Sequence, residues 1–180
     1  MDTDLKNMIR ELTRDGRFAQ QRRLYQHGTT TVLRHCVNVA AVSLLLAGAL
    51  RLSVNKRALL RGALLHDYFL YDWHTPGAAQ GLHGLTHPKA ALKNAREDFD
   101  LTATEEDIIL HHMFPLTPCP PASREGWLVC LADKYCALKE TFHPFLPRRL
   151  RKAERKGPAG SDRVPHPPLH RSKNKKARSQ

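Results

Sequence analysis

Apolar positions along the chain recur at the spacing of helices and hardly ever at that of strands. Leu5, Met8, Ile9 and Leu12 predict a short amphipathic helix over residues 4–13. Thr29 to Thr31 offer capping oxygens for a second helix from about Thr31 to Arg51, whose stripe of Val32, Cys36, Val39 and Val42 also holds His35. The apolar run Leu59 to Leu65, in a helix capped by Ser53, ends in adjacent His66 and Asp67. Ala63 precedes them by three and four residues, so all three share one inward face. An aromatic group, Tyr68, Phe69, Tyr71, Trp73 and His74, follows and is expected to close the core, with Pro76 and Gly77 breaking the helix.

Pro88 suits the first position of the next helix, whose buried side is Ala91, Leu92, Ala95 and Phe99, and this places His87 at a helix start. Thr102 and Glu105 form a capping-box pattern ahead of Ile108, Ile109 and His112; the spacing turns His112 inward and its neighbour His111 about 100° away. Ser123 caps a long helix in which Asp133 lies on an apolar stripe between Val129 and Cys136. The pattern predicts an all-α fold.

Composition sharpens this picture. The 180 residues suffice for one domain with a sizeable core, and no internal repeat is present. The four cysteines form no CxxC pair and read as small core residues in a reducing cytoplasm. The apolar stretch Val37 to Leu50 is short for a bilayer span and contains Asn38 and Ser43, so a buried core helix is expected and no membrane association. The acidic start, Met1-Asp2-Thr3-Asp4, does not resemble a signal peptide.

The net charge of +12 is concentrated at one end. Residues 147–180 hold twelve Lys and Arg against only Glu154 and Asp162, which leaves the body nearly neutral. This segment is proline-punctuated and poor in aliphatics, so it is expected to be largely disordered and to offer electrostatic contact to RNA or another acidic surface. The expected organisation is a helical domain over 1–146, with its core at 28–140, followed by the basic tail at 147–180.

The inward polar residues carry the chemistry. Each of His35, His66-Asp67, His87, His112 and Asp133 is, alone, most simply a hydrogen-bonded core residue. Together they bring imidazoles and carboxylates from several helices onto apolar stripes, a combination costly to bury unless a shared cation pairs with it. Nitrogen and oxygen donors without thiolate suit one or two divalent ions among Mn, Fe, Mg, Zn, Co and Ni.

This ordered pattern resembles the HD-domain metal-dependent phosphohydrolase superfamily, whose hallmark is H…HD…(H…H)…D. The most specific segments are His35-Cys-Val-Asn-Val-Ala, Ala63-Leu-Leu-His-Asp and Leu131-Ala-Asp-Lys; Thr86-His-Pro-Lys-Ala-Ala and His112-Met-Phe-Pro resemble a bacterial subgroup of small stand-alone members. The resemblance implies a helical bundle in which His35, His66, Asp67 and Asp133 bind a first metal. His87 and His112 match the extra histidines of dinuclear members, with Asp67 then bridging; His83 is a rival for His87, and His111 for His112. No Gly-Tyr-Pro follows the His111-His112 doublet, which separates the chain from the HD-GYP branch.

The implied activity is hydrolysis of a phosphate ester or anhydride of a nucleotide or related small molecule. Asp67, Lys134 and Asp72 are the candidate catalytic residues, Lys134 as a phosphate contact and Asp72, or His27, as general acid. Arg34, beside His35, is expected on the solvated face. The alternative from another class is a non-catalytic metal- or nucleotide-binding sensor, or an RNA-associated factor docking through the tail.

Overall fold

A computed structural model describes residues 1–27, 30–73 and 83–142. These fall within one compact unit, Met1–Leu146. The expected helix break at Pro76-Gly77 and the basic tail lie outside the described residues.

Among the described residues six α-helices carry the unit: α1 (Thr3–Arg14), α2 (Val32–Ala49), α3 (Lys56–Leu65), α4 (His83–Asp98), α5 (Ala103–His111) and α6 (Arg124–Phe142). A 3-10 segment, Arg17–Arg22, and a two-stranded antiparallel hairpin, β1 (Tyr25–His27) with β2 (Thr30–Thr31), join α1 to α2. The helices begin where side chains satisfy their free N–H groups. Asp2 caps α1, Thr31 accepts from Arg34 N at the head of α2, and Ser123 Oγ accepts from Gly126 N at the head of α6. Thr102 and Glu105 form the reciprocal capping box of α5.

Two boundaries differ from the sequence reading. Asn55, not Ser53, caps α3, its side chain accepting from Ala58 N; α3 then ends at Leu65, so His66 is the C-cap residue and Asp67 lies just beyond. Pro88 lies inside α4 rather than at its first position. Its missing N–H forgoes one bond near the helix start, and the helix absorbs that loss there more readily than at its centre.

The packing is cyclic. α2 packs on α3, α3 on α5, α5 on α6, and α6 back on α2, with α4 laid against α5. Leu59, Leu60, Leu64, Ile108, Ile109, Val129 and Val39 fill the interior, and Tyr68 and Phe69 join them as the aromatic segment leaves α3. Cys36, Cys130 and Cys136 are buried in this core, Cys119 is exposed, and all four are free thiols.

α2 is long and apolar enough to cross a membrane by length and composition alone. Its 18 residues begin five positions before the apolar run seen in the sequence, so shortness is not what argues against a span. The stronger argument is that its buried side, Val32, His35, Cys36, Val39, Ala40, Ser43 and Ala47, belongs to the bundle. α6 presents the opposite oddity, since Trp127, Leu131, Tyr135, Leu138 and Phe142 are all exposed on its outer side.

Candidate metal centre

Each helix of the ring delivers a polar side chain to the bundle interior. His35 comes from the first turn of α2, His66 and Asp67 from the end of α3, His112 from the end of α5 and Asp133 from the middle of α6; α4 adds His87. All six are buried, none more than 8% exposed. So much buried polarity in so small a volume is unfavourable unless the groups satisfy one another or a cation.

The donor atoms converge in two sets that share Asp67. In the first, atoms of His35, His66 and Asp67 lie within 4.8 Å of one another; in the second, so do those of Asp67, His87 and His112. Asp133 Oδ1 stands 3.0 Å from His35 Nε2 and 3.7 Å from His66 Nε2, so it borders the first set. Asp67 faces both ways: Oδ2 lies 3.4 Å from His66 Nε2 and 3.8 Å from His35 Nε2, Oδ1 3.2 Å from His87 Nε2 and 3.7 Å from His112 Nε2.

The orientation of the rings matters more than their proximity. His66 Nδ1 donates to Ala63 O at 2.8 Å, His112 Nδ1 donates to Ile109 O at 2.8 Å, and His35 Nδ1 donates to Glu140 Oε2 at 2.9 Å. With Nδ1 held as a donor in each, Nε2 is the nitrogen aimed at the cluster, as a metal-binding imidazole requires. Gln26 Nε2 donates to Asp67 Oδ2 at 2.6 Å and holds that carboxylate from the hairpin side.

Charges inside the cluster shift one another. For His35, burial disfavours the imidazolium, but hydrogen bonds to Asp133 and Glu140 and the charge of Asp67 outweigh it and raise its pKa to about 10. Burial opposes ionisation of Asp67 and Asp133 as well, yet the surrounding histidines hold both well below the usual carboxylate range. His112 moves the other way, to about 3, because burial, and after it the neighbouring imidazole of His66, disfavour its protonation.

These residues fit divalent cations. Among the described residues His66 Nε2 and Asp67 Oδ1 are buried without a hydrogen-bond partner, and His87 Nε2 and His112 Nε2 face each other at 2.9 Å. Two ring nitrogens this close need a proton or a cation between them. The donors are all nitrogen and oxygen, which suits Mn, Fe, Mg, Zn, Co or Ni.

The other described sequence candidates make different contacts. His111 turns away from the cluster and pairs its Nδ1 with Asp107 Oδ1 at 2.8 Å. Lys134 lines the cavity beside the cluster, but its ammonium donates to His112 O at 2.9 Å and contacts Cys130 O and Sγ at 3.4 and 3.3 Å. It therefore braces the segment carrying His112. Asp72 is exposed and is not among the described residues lining the cavity, and Arg34 is exposed, on the solvated face as expected. The side chains of His27 and His83 lie outside what is described.

That cavity is about 550 Å3 in volume. Asp67, His112, Asp133 and Gln26 supply its polar side and Met113, Pro115, Leu116 and Ala137 its apolar one. Sequence reading passed over Gln26, Glu140 and Asn38. Glu140 follows Asp133 by two helical turns, and Asn38 follows His35 by one, so both spacings were present; Gln26 depends on a hairpin too short to leave a pattern.

Comparison with known proteins gives one family. The family model described as HD domain matches residues 32–138, which contain all six converging residues. No curated protein and no solved structure matches the chain significantly.

Proposed function

Because this chain belongs to the HD-domain family, a family of metal-dependent phosphohydrolases, we propose that it hydrolyses a phosphate ester or anhydride of a nucleotide or a related small phosphorylated compound. The observation that carries this reading is the convergence of four imidazoles and two carboxylates, three of the rings fixed through Nδ1 so that Nε2 faces Asp67. His35, His66, Asp67 and Asp133 would hold one cation, and Asp67, His87 and His112 a second. Such ions, when bound, neutralise phosphate charge and make water nucleophilic near neutral pH.

The chain's own groups supply the rest. Asp67 presents one oxygen to each set, so it ties the two halves of the site together. Gln26 restrains that carboxylate, and Lys134 restrains the backbone at His112. The cavity is in the range that takes a small organic ligand, and its apolar wall suits a base or other flat group beside a phosphate. Four free cysteines suit a reducing cytoplasm.

The test is a screen of the purified protein, supplemented with Mn, Mg, Zn, Co or Ni, against nucleotides, dinucleotides and sugar phosphates. Turnover that depends on added metal and is lost in Asp67→Ala supports the reading. Turnover unchanged in that variant, with contaminants excluded, defeats it.

The charge on residues 147–180 favours a second reading, a non-catalytic sensor or RNA-associated factor docking through the tail. Deleting the chain after Lys156 separates them. Hydrolysis that survives the deletion belongs to the helical domain, whereas salt-sensitive RNA binding that vanishes belongs to the tail.

A further inference from the structure

We propose that Glu140 is a positioning residue for metal binding, its carboxylate holding His35 with Nε2 turned toward Asp67 and Asp133. This rests on the metal-centre reading above and assigns a role to a residue outside the six that converge.

The grip is two-pronged. Glu140 Oε2 accepts from His35 Nδ1 at 2.9 Å while Oε1 accepts from Asn38 Nδ2 at 3.0 Å. His35 and Asn38 stand one turn apart on α2, and Glu140 stands on α6, so the carboxylate spans the interface between two helices. Rotating it to release one partner strains the other. Its side chain is only 9% exposed, which keeps water from competing for these bonds.

A comparison among the three oriented rings explains why a carboxylate is needed. His66 and His112 are C-cap residues, each bonded through Nδ1 to the carbonyl three residues back, where the helix has ended and carbonyls lack N–H partners. His35 sits in the first turn of α2, where the carbonyls from Val32 onward accept from the following turn. No helix carbonyl is spare at that point. A side chain from another element must therefore receive the Nδ1 proton, and Glu140 does so.

A carboxylate is also a stronger acceptor than a carbonyl, so it makes His35 a better donor at Nε2 than a carbonyl would. Glu140 reaches only the far nitrogen of the ring. It acts through His35.

The experiment titrates metal-stripped, full-length protein with Mn or Zn against a competing chelator, comparing wild type, Glu140→Gln and Asn38→Ala. Glu140→Gln keeps the shape and removes the charge, and is expected to weaken binding of one metal equivalent by about 10–100-fold. Asn38→Ala removes one prong and leaves the His35–Glu140 bond, and is expected to weaken binding of the same equivalent by a smaller factor than Glu140→Gln does. Equal affinity in wild type and Glu140→Gln overturns the proposal. Wild-type protein that binds neither metal overturns the metal-centre reading itself, a different result. If Glu140→Gln does not fold, nitrogen-15 NMR of zinc-loaded wild type decides: His35 protonated at Nδ1 and ligated through Nε2 supports the proposal, and ligation through Nδ1 refutes it.

Discussion

His66 and His112 are built the same way on different helices. Each is the C-cap residue of its helix, each donates from Nδ1 to the carbonyl three residues earlier at 2.8 Å, and the two rings meet edge to face with centroids 4.8 Å apart. A helix end is a natural place for an oriented imidazole, because its last carbonyls need donors and the backbone is held by packing. α3 and α5 pack directly on one another, so their ends bring the two rings to the same interior point.

This geometry ranks two adjacent histidines. His112 offers Nε2 to the set containing Asp67 and His87, whereas His111 is partly exposed and bonded to Asp107. His112→Ala is expected to lower bound metal by close to one equivalent per chain and to reduce phosphatase turnover by at least tenfold, on the order seen when a metal site loses a supporting group. His111→Ala is expected to keep both within about twofold of wild type, costing only its hydrogen bond to Asp107. Metal analysis by mass spectrometry with initial-rate assays checks the ranking, and the reverse order would reassign the ligand.

The spacing of α3 and α5 rests on Gly62. A Cβ built there would lie 2.5 Å from Ile108 Cδ1 and 3.0 Å from both Ile108 Cβ and Cγ2. The methyl end of Ile108 can move, but its branch point cannot do so without shifting α5. Gly62→Ala gains about 1 kcal/mol of helix propensity and incurs about 1–3 kcal/mol of overpacking, so a net destabilisation near 1 kcal/mol is expected. Gly62→Val, larger and branched, is expected to be worse and also to weaken metal binding, since His66 and His112 end the two helices being forced apart. Denaturant melts together with metal titration test both consequences.

The helical fold was legible in the sequence because periodic stripes and caps are local: Thr31, Thr102 with Glu105, and Ser123 all mark helix starts as their side-chain chemistry predicts. Five of the six inward polar residues were legible for the same reason, each being an exception on an apolar stripe, whereas His87 was marked only by its place at an expected helix start. What could not be read was non-local. Asn55 and Ser53 are both acceptable caps, and only the turn geometry after α2 chooses between them. Glu140 gains its role only from α2 packed beside α6, and Gln26 has meaning only where the hairpin folds over Asp67. Lys134 looked free to meet a phosphate, and only the packed structure shows its ammonium on the carbonyl of His112.

Asp98 provides a pH-dependent test of the fold away from the metal centre. It closes α4 and accepts from Arg17 N at 3.1 Å, from Arg17 Nε at 2.9 Å and from the Tyr68 hydroxyl at 2.6 Å, tying the segment after α1 to the core. Burial opposes its ionisation, but the hydrogen bonds from Arg17 and Tyr68 prevail and lower its pKa below the ordinary 3.8. A carboxylate whose pKa is depressed by folding stabilises the folded state above its unfolded pKa and loses that contribution as pH falls through the folded one. Asp98→Asn is therefore expected to destabilise the protein by about 1–3 kcal/mol at pH 7, the range for hydrogen bonds to a charged group. The gap between variant and wild type is expected to narrow below about pH 4 as the wild-type carboxyl is protonated. Urea melts of both proteins from pH 7 down to pH 3 measure it. A gap that stays constant to the lowest pH would show that the loss comes from altered packing around Tyr68 and not from the charge on Asp98.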